Sequence, residues 1–335
     1  MLSTGIKNHN KIDFSFYYIS GGNVFKKILF SILVIFIGVF GAKANDKLTV
    51  VLDWYLNPDH APLIVAEQIG SFEKRGLDVE IVTPSDPNIG PRLVASDKAD
   101  IALSYQQQLY IFQDEDLPLT RIGTLIETPL NTVLALPDSG IKTPADLKGK
   151  KVGFSVSSIE PVILGTMLEN QGLTIKDVEL INVNFNLVSG LMSKQVDAVI
   201  GGYRNVEGNE IREQGVEPVI MKVEDYGIPP YDELIFVAKK DLQKHDAYKK
   251  FLEAVHEGQQ YLKAHPEETW DNFAKKYKEL DTDLNKKIWM ETVPLFSENP
   301  LHLDKEKYIS YGTYLYKKGI VKKEYPLDSF ATELK

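Results

Sequence analysis

The chain contains no cysteine. That single absence excludes disulfides, thiolate metal sites, thiol nucleophiles and a lipid-anchored cysteine. Positive charge is also short, with 38 Lys and Arg against 47 Asp and Glu and a net charge of -9. Nucleic acid is therefore not an expected partner. The 6 histidines are scattered, with no pair at helical ligand spacing, so no metal site is expected. There is no Gly-x-Ser-x-Gly elbow and no His-Glu-x-x-His pair, which leaves the common hydrolase signatures without support. Internal repeats and low-complexity stretches are missing as well.

What is present is enough for two lobes with cores of their own: 335 residues, 43% of them hydrophobic. The N-terminus reads as a secretory signal. Lys26 and Lys27 form a short basic region, and Ile28 to Phe40 is an apolar run too short to favour a membrane-spanning helix. Ala42-Lys43-Ala44 fits a small-x-small cleavage site. Cleavage after Ala44 would release about 290 residues into the periplasm. Residues 1–23 are polar and aromatic without periodicity, which suggests a true start at Val24 with Gly21-Gly22 as a translated ribosome-binding site.

From Leu48 onward short apolar runs alternate with helical stretches. Leu48 to Leu52 predicts a strand and Ala61 to Arg75 a helix stopped by Gly76. Strands follow at Asp78 to Val82 and Ile101 to Leu103, with a helix from Gly90 between them. A second unit begins near Asn131 with strands at Thr132 to Leu136, Val152 to Val156, Val178 to Val183 and Ala198 to Ile200. A helix is expected at Ile159 to Asn170 between them, and a further strand at Leu234 to Ala238. The remainder is helical, and its stripe Tyr308, Tyr311, Tyr314 has core spacing. Such alternation argues for parallel sheets flanked by helices. The expected architecture is a two-lobed α/β binding protein with its ligand cleft between lobes joined by two crossing segments. Residues 45–130 would open lobe one, 131–228 would form lobe two, and 229–335 would return to lobe one with a helical tail.

The most informative segment is Val51-Leu52-Asp53-Trp54-Tyr55-Leu56-Asn57-Pro58-Asp59-His60. An apolar strand runs straight into an acid, two aromatics, an amide and a proline. Loops at strand ends carry recognition chemistry. Flat rings beside a carboxylate and an amide suit a nitrogen-rich heterocycle better than a sugar or a phosphate.

This segment, with Ala66-Glu67-Gln68-Ile69-Gly70-Ser71-Phe72, Gly76-Leu77-Asp78-Val79-Glu80, residues 140–153 and Asp197-Ala198-Val199-Ile200-Gly201-Gly202-Tyr203, resembles the thiamine pyrimidine-precursor family. The likeness covers residues 47–330. It implies the type II periplasmic-binding-protein fold and one of two functions. One branch comprises extracytoplasmic binding proteins of ABC importers that salvage formylaminopyrimidine or hydroxymethylpyrimidine; their partner is a membrane permease. The other is the fungal-type hydroxymethylpyrimidine phosphate synthase, which consumes its own histidine and a lysine-bound pyridoxal phosphate in an iron-dependent reaction. This chain departs from the synthase at each chemical position. Ser104 falls where the lysine belongs and Gln108 where the histidine belongs. The phosphate loop reads Val156-Ser157-Ser158-Ile159 without glycines, and the cysteine-rich iron segment is absent. A binding protein without cofactor is the expectation.

The resemblance places Trp54 in the cleft as a stacking platform, and Tyr105 would form the opposite wall. Glu207, four residues past Tyr203, is the expected polar anchor, because a carboxylate accepts from an exocyclic amino group and from a protonated ring nitrogen. Asn205 and Arg204 are weaker candidates. Ser157 and Ser158 precede a helix; Ser158 would cap it, or its exposed N–H groups would bind a ligand oxygen. Asp53 would hold Asn57 and the loop, and His60 would be structural. The competing ligand class is a sulfonate, nitrate or other small anion, favoured only by Arg204 and the serine pair.

Overall fold

The computed structural model describes residues 45–334. The expected leader, cleavage site and alternative start lie outside the described residues. Ten strands form two five-stranded sheets. In chain order they are β1 (Asp46–Val51), β2 (Leu77–Val82), β3 (Ile101–Ser104), β4 (Leu119–Ile126), β5 (Asn131–Ala135), β6 (Lys151–Phe154), β7 (Glu179–Asn182), β8 (Ala198–Tyr203), β9 (Val219–Lys222) and β10 (Leu234–Lys239). The α-helices are α1 (Ala61–Gln68), α2 (Ser71–Lys74), α3 (Gly90–Ala95), α4 (Gln106–Asp114), α5 (Glu160–Glu169), α6 (Leu187–Met192), α7 (Glu207–Glu213), α8 (His245–Ala264), α9 (Pro266–Lys276), α10 (Asp283–Thr292) and α11 (Lys305–Lys317).

The first sheet has strand order β2-β1-β3-β10-β4 and the second β7-β6-β8-β5-β9. The sheets are mixed rather than parallel. β10 runs antiparallel to both β3 and β4, and β5 antiparallel to both β8 and β9. The reason is the chain path. β5 enters the second sheet, and β10 re-enters the first, directly from a crossing segment without a helical crossover, so neither needs to run with its neighbours. The crossings lie between Ile126 and Asn131 and between Lys222 and Leu234. Glu233 staples them together: its Oε2 accepts the backbone N–H of Leu130 at 2.5 Å and of Asn131 at 2.9 Å.

β4 is an edge strand whose eight residues are all buried. The C-terminal region covers it, for Arg121 N–H donates to the Phe330 carbonyl at 2.8 Å and Thr124 N–H to that of Pro300 at 2.8 Å. Covering an edge in this way removes its unpaired backbone groups from solvent. The helix expected from Ala61 to Arg75 breaks in two at Gly70, whose φ of +69° is reached at little cost only by glycine. α8 packs its apolar face, including Phe251, Leu252 and Val255, over the first sheet. It crosses α1 at Gly258, where a Cβ would lie 2.5 Å from the Pro62 carbonyl oxygen.

Candidate ligand-binding site

The ends of β1, β3, β6 and β8 and the entry to β10 meet around one cavity. Strand ends converge there because both sheets point their carboxyl ends toward the cleft. Asp53 and Trp54 come from the loop after β1, Tyr105 directly follows β3, Tyr203 ends β8, Val206 lies in the turn after it and Glu207 opens α7.

Asp53 is held from two sides. Asn57 donates its backbone N–H to His60 Nδ1 at 3.2 Å, so Nε2 carries the ring proton and donates to Asp53 Oδ1 at 3.0 Å. Tyr105 donates its hydroxyl to Asp53 Oδ2, also at 3.0 Å. His60 thus fixes the acid, and through it the loop. Trp54 packs edge-on against Phe185 of the second sheet's side, with centroids 4.7 Å apart, and Phe185 also meets Tyr55 at 4.2 Å.

Glu207 opens α7, and its Oε2 accepts the Tyr203 N–H at 2.7 Å. Burial, with Glu210 nearby, holds its carboxyl well above the usual range. Tyr203 donates its hydroxyl to Glu233 Oε1 at 3.3 Å. Burial pushes Glu233 up to about 7, against donors from Leu130, Asn131 and Tyr231 that favour its charge. Glu160 is pushed up to about 8 by burial, opposed by the N–H groups of Ser155 and Val156 and reinforced by Glu233. Asp53, Glu160, Glu207 and Glu233 therefore line one cavity, whose lining contains no lysine, arginine or histidine.

Asn57, Ser157 and Ser158 are not among the lining residues. Asn57 caps the short turn at Pro58–His60, accepting the Asp59 N–H at 2.8 Å. Ser158 is not the helix cap: the cap position is Ile159 and makes no side-chain bond, since α5 starts one residue later than expected. The two serines instead bridge the lobes. Ser157 donates its N–H at 3.0 Å and its hydroxyl at 3.2 Å to Asn88 Oδ1. Gln108 donates through Nε2 to Ser158 Oγ at 3.0 Å. Arg204 and Asn205 also lie outside the lining. Arg204 pairs with Glu224 at 2.7 Å and donates to the Pro129 carbonyl. Asn205 donates to Asp59 Oδ1 at 2.8 Å and to Thr292 Oγ1 at 2.9 Å.

Glu160, Gln107 and Phe185 carry no sequence signal of a site, and Glu233 carries only a weak one. The acid pair Asp232-Glu233 placed directly before an apolar strand was the one usable signal. At the two positions that the resemblance sets against the synthase's lysine and histidine, Ser104 donates its hydroxyl to Gln108 Oε1 at 2.7 Å in a buried pair. Neither side chain can form a Schiff base, so these residues do not fit pyridoxal phosphate. Among the described residues no cluster could hold a metal ion, and no helix is long and apolar enough to cross a membrane.

The fold is that of the two-lobed periplasmic binding proteins. The structure superimposes on the alkanesulfonate-binding protein SsuA from Xanthomonas axonopodis pv. citri bound to MOPS with a TM-score of 0.69 at 16% identity, covering 87% of this chain and 99% of that one. A Haemophilus influenzae protein named for thiamine biosynthesis is 47% identical over 292 residues, 87% of this chain and 93% of its own length. The formylaminopyrimidine-binding protein of Halalkalibacterium halodurans is 31% identical over 76% of this chain and 78% of its own. A Legionella pneumophila 4-amino-5-hydroxymethyl-2-methylpyrimidine phosphate synthase is 26% identical over 78% of this chain and 84% of its own. The NMT1/THI5 like family matches residues 57–269. The chain belongs to that family.

Proposed function

We propose that this protein is the extracytoplasmic substrate-binding component of an ABC importer and that it captures a thiamine-related aminopyrimidine, the class to which formylaminopyrimidine and hydroxymethylpyrimidine belong. The observation that carries this reading is the pairing of aromatic walls with buried carboxyls and no basic group in the lining. An aminopyrimidine presents N–H donors beside a ring nitrogen. A neutral Glu207 carboxyl would donate its O–H to that nitrogen and accept from the amino group; an ionised one would accept from both if the ring is protonated. Trp54 and Tyr105 would bury the ring faces. A sulfonate or nitrate would meet four acids and no cation, which disfavours the anion reading despite the shared fold.

Residues 45–130 with 229–335 would act as one lobe and 131–228 as the other, closing through the Asn88–Ser157 and Gln108–Ser158 contacts. The partner would be a membrane permease, and the periplasmic location would follow from cleavage after Ala44. Ser104 and Gln108 in place of the reacting lysine and histidine support binding without turnover.

Calorimetry against hydroxymethylpyrimidine, formylaminopyrimidine, taurine and nitrate tests the ligand class. A pyrimidine should bind more tightly than either anion, and tighter binding of taurine would refute the reading. Incubation with pyridoxal phosphate, iron and oxygen should yield no hydroxymethylpyrimidine phosphate; detectable product would establish an enzyme.

A further inference from the structure

Away from the cavity, a buried acid joins the loops of the two sheets. Asp59 sits in the short turn Pro58–His60 after β1, and Asn205 in the turn between β8 and α7. Asn205 donates through Nδ2 to Asp59 Oδ1 at 2.8 Å and to Oγ1 of Thr292, the last residue of α10, at 2.9 Å. Thr292 donates its hydroxyl to Asp59 Oδ1 at 3.2 Å, so the three side chains form a triangle. Asn209 of α7 donates to Glu291 Oε2 at 2.6 Å, next to Thr292 on α10. Asp59, Asn205 and Thr292 are all buried.

The contact is incomplete. Asp59 Oδ2 and Asn205 Oδ1 are both buried without a hydrogen-bond partner. They are the remaining oxygens of two groups already bonded to each other, and both are acceptors while Asp59 is ionised. Buried acceptors without donors cost free energy. One proton on Oδ2 makes it the donor that Asn205 Oδ1 lacks, so that acid and amide each give and take one bond. Burial pushes Asp59 up to about 6, opposed by His60 and the Asn205 and Thr292 donors and reinforced by Asp53. From the turn after β8, Tyr203 and Glu207 face it, both held up in part by the Asp59 charge. Glu291 stands behind Thr292 on α10 and is engaged by Asn209. Separating the lobes would carry Asn205, Tyr203 and Glu207 away and admit water, returning Asp59 toward its ordinary 3.8.

We propose that Asp59 and Asn205 form a proton-dependent latch between the lobes: a neutral Asp59 donates to Asn205 and holds the lobes closed over the ligand, and loss of the proton loosens them. This rests on the two-lobed reading of the protein and not on the identity of its ligand. Both are positioning residues, for neither lines the cavity. The closed form holds its proton more tightly than the open one. The latch is therefore fully engaged below about pH 4 and is lost as pH rises through about 6.

The test is calorimetry with hydroxymethylpyrimidine on the full chain from pH 4.5 to 7.5, for wild type and Asp59→Asn. Asparagine keeps the shape of the side chain and carries a permanent N–H where the neutral acid carries its O–H, so it holds the latch at every pH. The affinity of wild type relative to the variant should fall about tenfold or more across that range, leaving the variant the tighter binder at pH 7.5. Protonation of the ligand and of the cavity acids occurs with both proteins and drops out of the ratio. A ratio that stays constant, as a merely structural Asp59 would give, or that rises with pH overturns the inference and leaves the ligand class standing. Thr292→Val carries the test if Asp59→Asn does not fold. Removing a donor that favours the charged carboxyl should move the midpoint of the wild-type loss to higher pH, and an unmoved midpoint overturns the latch. If the pyrimidine binds neither protein, the ligand reading fails separately, and small-angle scattering of the ligand-free proteins decides the latch. Asp59→Asn should then stay the more compact as pH rises, and equal radii throughout overturn the inference.

Discussion

Replacing Glu160 by glutamine should make the ligand-free protein gain stability relative to wild type as pH rises. The carboxyl titrates near 4.5 in an unfolded chain and at about 8 in the fold, chiefly because it is buried. Between those values the folded state holds a proton that the unfolded state has released. The associated stability is fully present below about 4.5 and is lost as pH climbs through about 8. Glutamine has no such proton. The difference in unfolding free energy, variant minus wild type, should therefore grow by about 1.4 kcal/mol per pH unit inside that window. From pH 5.5 to 7.5 that amounts to about 2–3 kcal/mol, or roughly 5–10 °C in the difference between the two Tm values. Asp59, raised to about 6 by burial, and Glu233, raised to about 7, titrate in both proteins and largely cancel in the difference. The groups facing Glu160 are the Ser155 and Val156 amides, Glu233 and the Tyr105 phenol. Thermal unfolding in buffers of matched ionic strength from pH 5 to 8.5, without ligand, reads the gap directly. A gap that stays constant or narrows with pH would refute the picture of a buried, proton-holding Glu160.

Two further substitutions probe the cavity. Trp54→Ala should weaken pyrimidine binding at least about tenfold, because stacking contributes about 0.5–1.5 kcal/mol beyond the area it buries; calorimetry with unchanged affinity would remove Trp54 from the site. Gly201→Ala should destabilise the fold by at least about 1–3 kcal/mol, since the new Cβ meets Glu160 at a backbone conformation only glycine tolerates well. Pairing it with Glu160→Ala should relieve the steric part but not the backbone part, and urea unfolding of the double-mutant cycle separates the two.

The parts of this protein that announce themselves in sequence are those with a local cause. β1, α5, β8, β10 and the long α8 follow from apolar periodicity, and their observed bounds lie within a few residues of expectation. β4 escaped notice because Leu119–Ile126 is buried throughout and contains Arg121, so it shows neither alternation nor a purely apolar run. Its burial comes from residues near 296–332, at least 170 positions away in the chain, which no local pattern can report. The same division runs through the site. Asp53, Trp54, Tyr105, Tyr203 and Glu207 stand at strand ends, a position that can be read locally. Glu160 sits in the first turn of a helix, where an acid is usually a solvated partner of the helix dipole. It is buried only because Gly201, forty-one residues later, presents bare backbone to it. Ser157 and Ser158 show the converse error. Two small hydroxyls before a helix suggest a ligand-facing N-terminus, yet Asn88 and Gln108 from the other lobe take them. Local chemistry identified which residue types could serve a heterocycle; the meeting of two distant strand ends decided that four acids, and no cationic side chain, line its cavity.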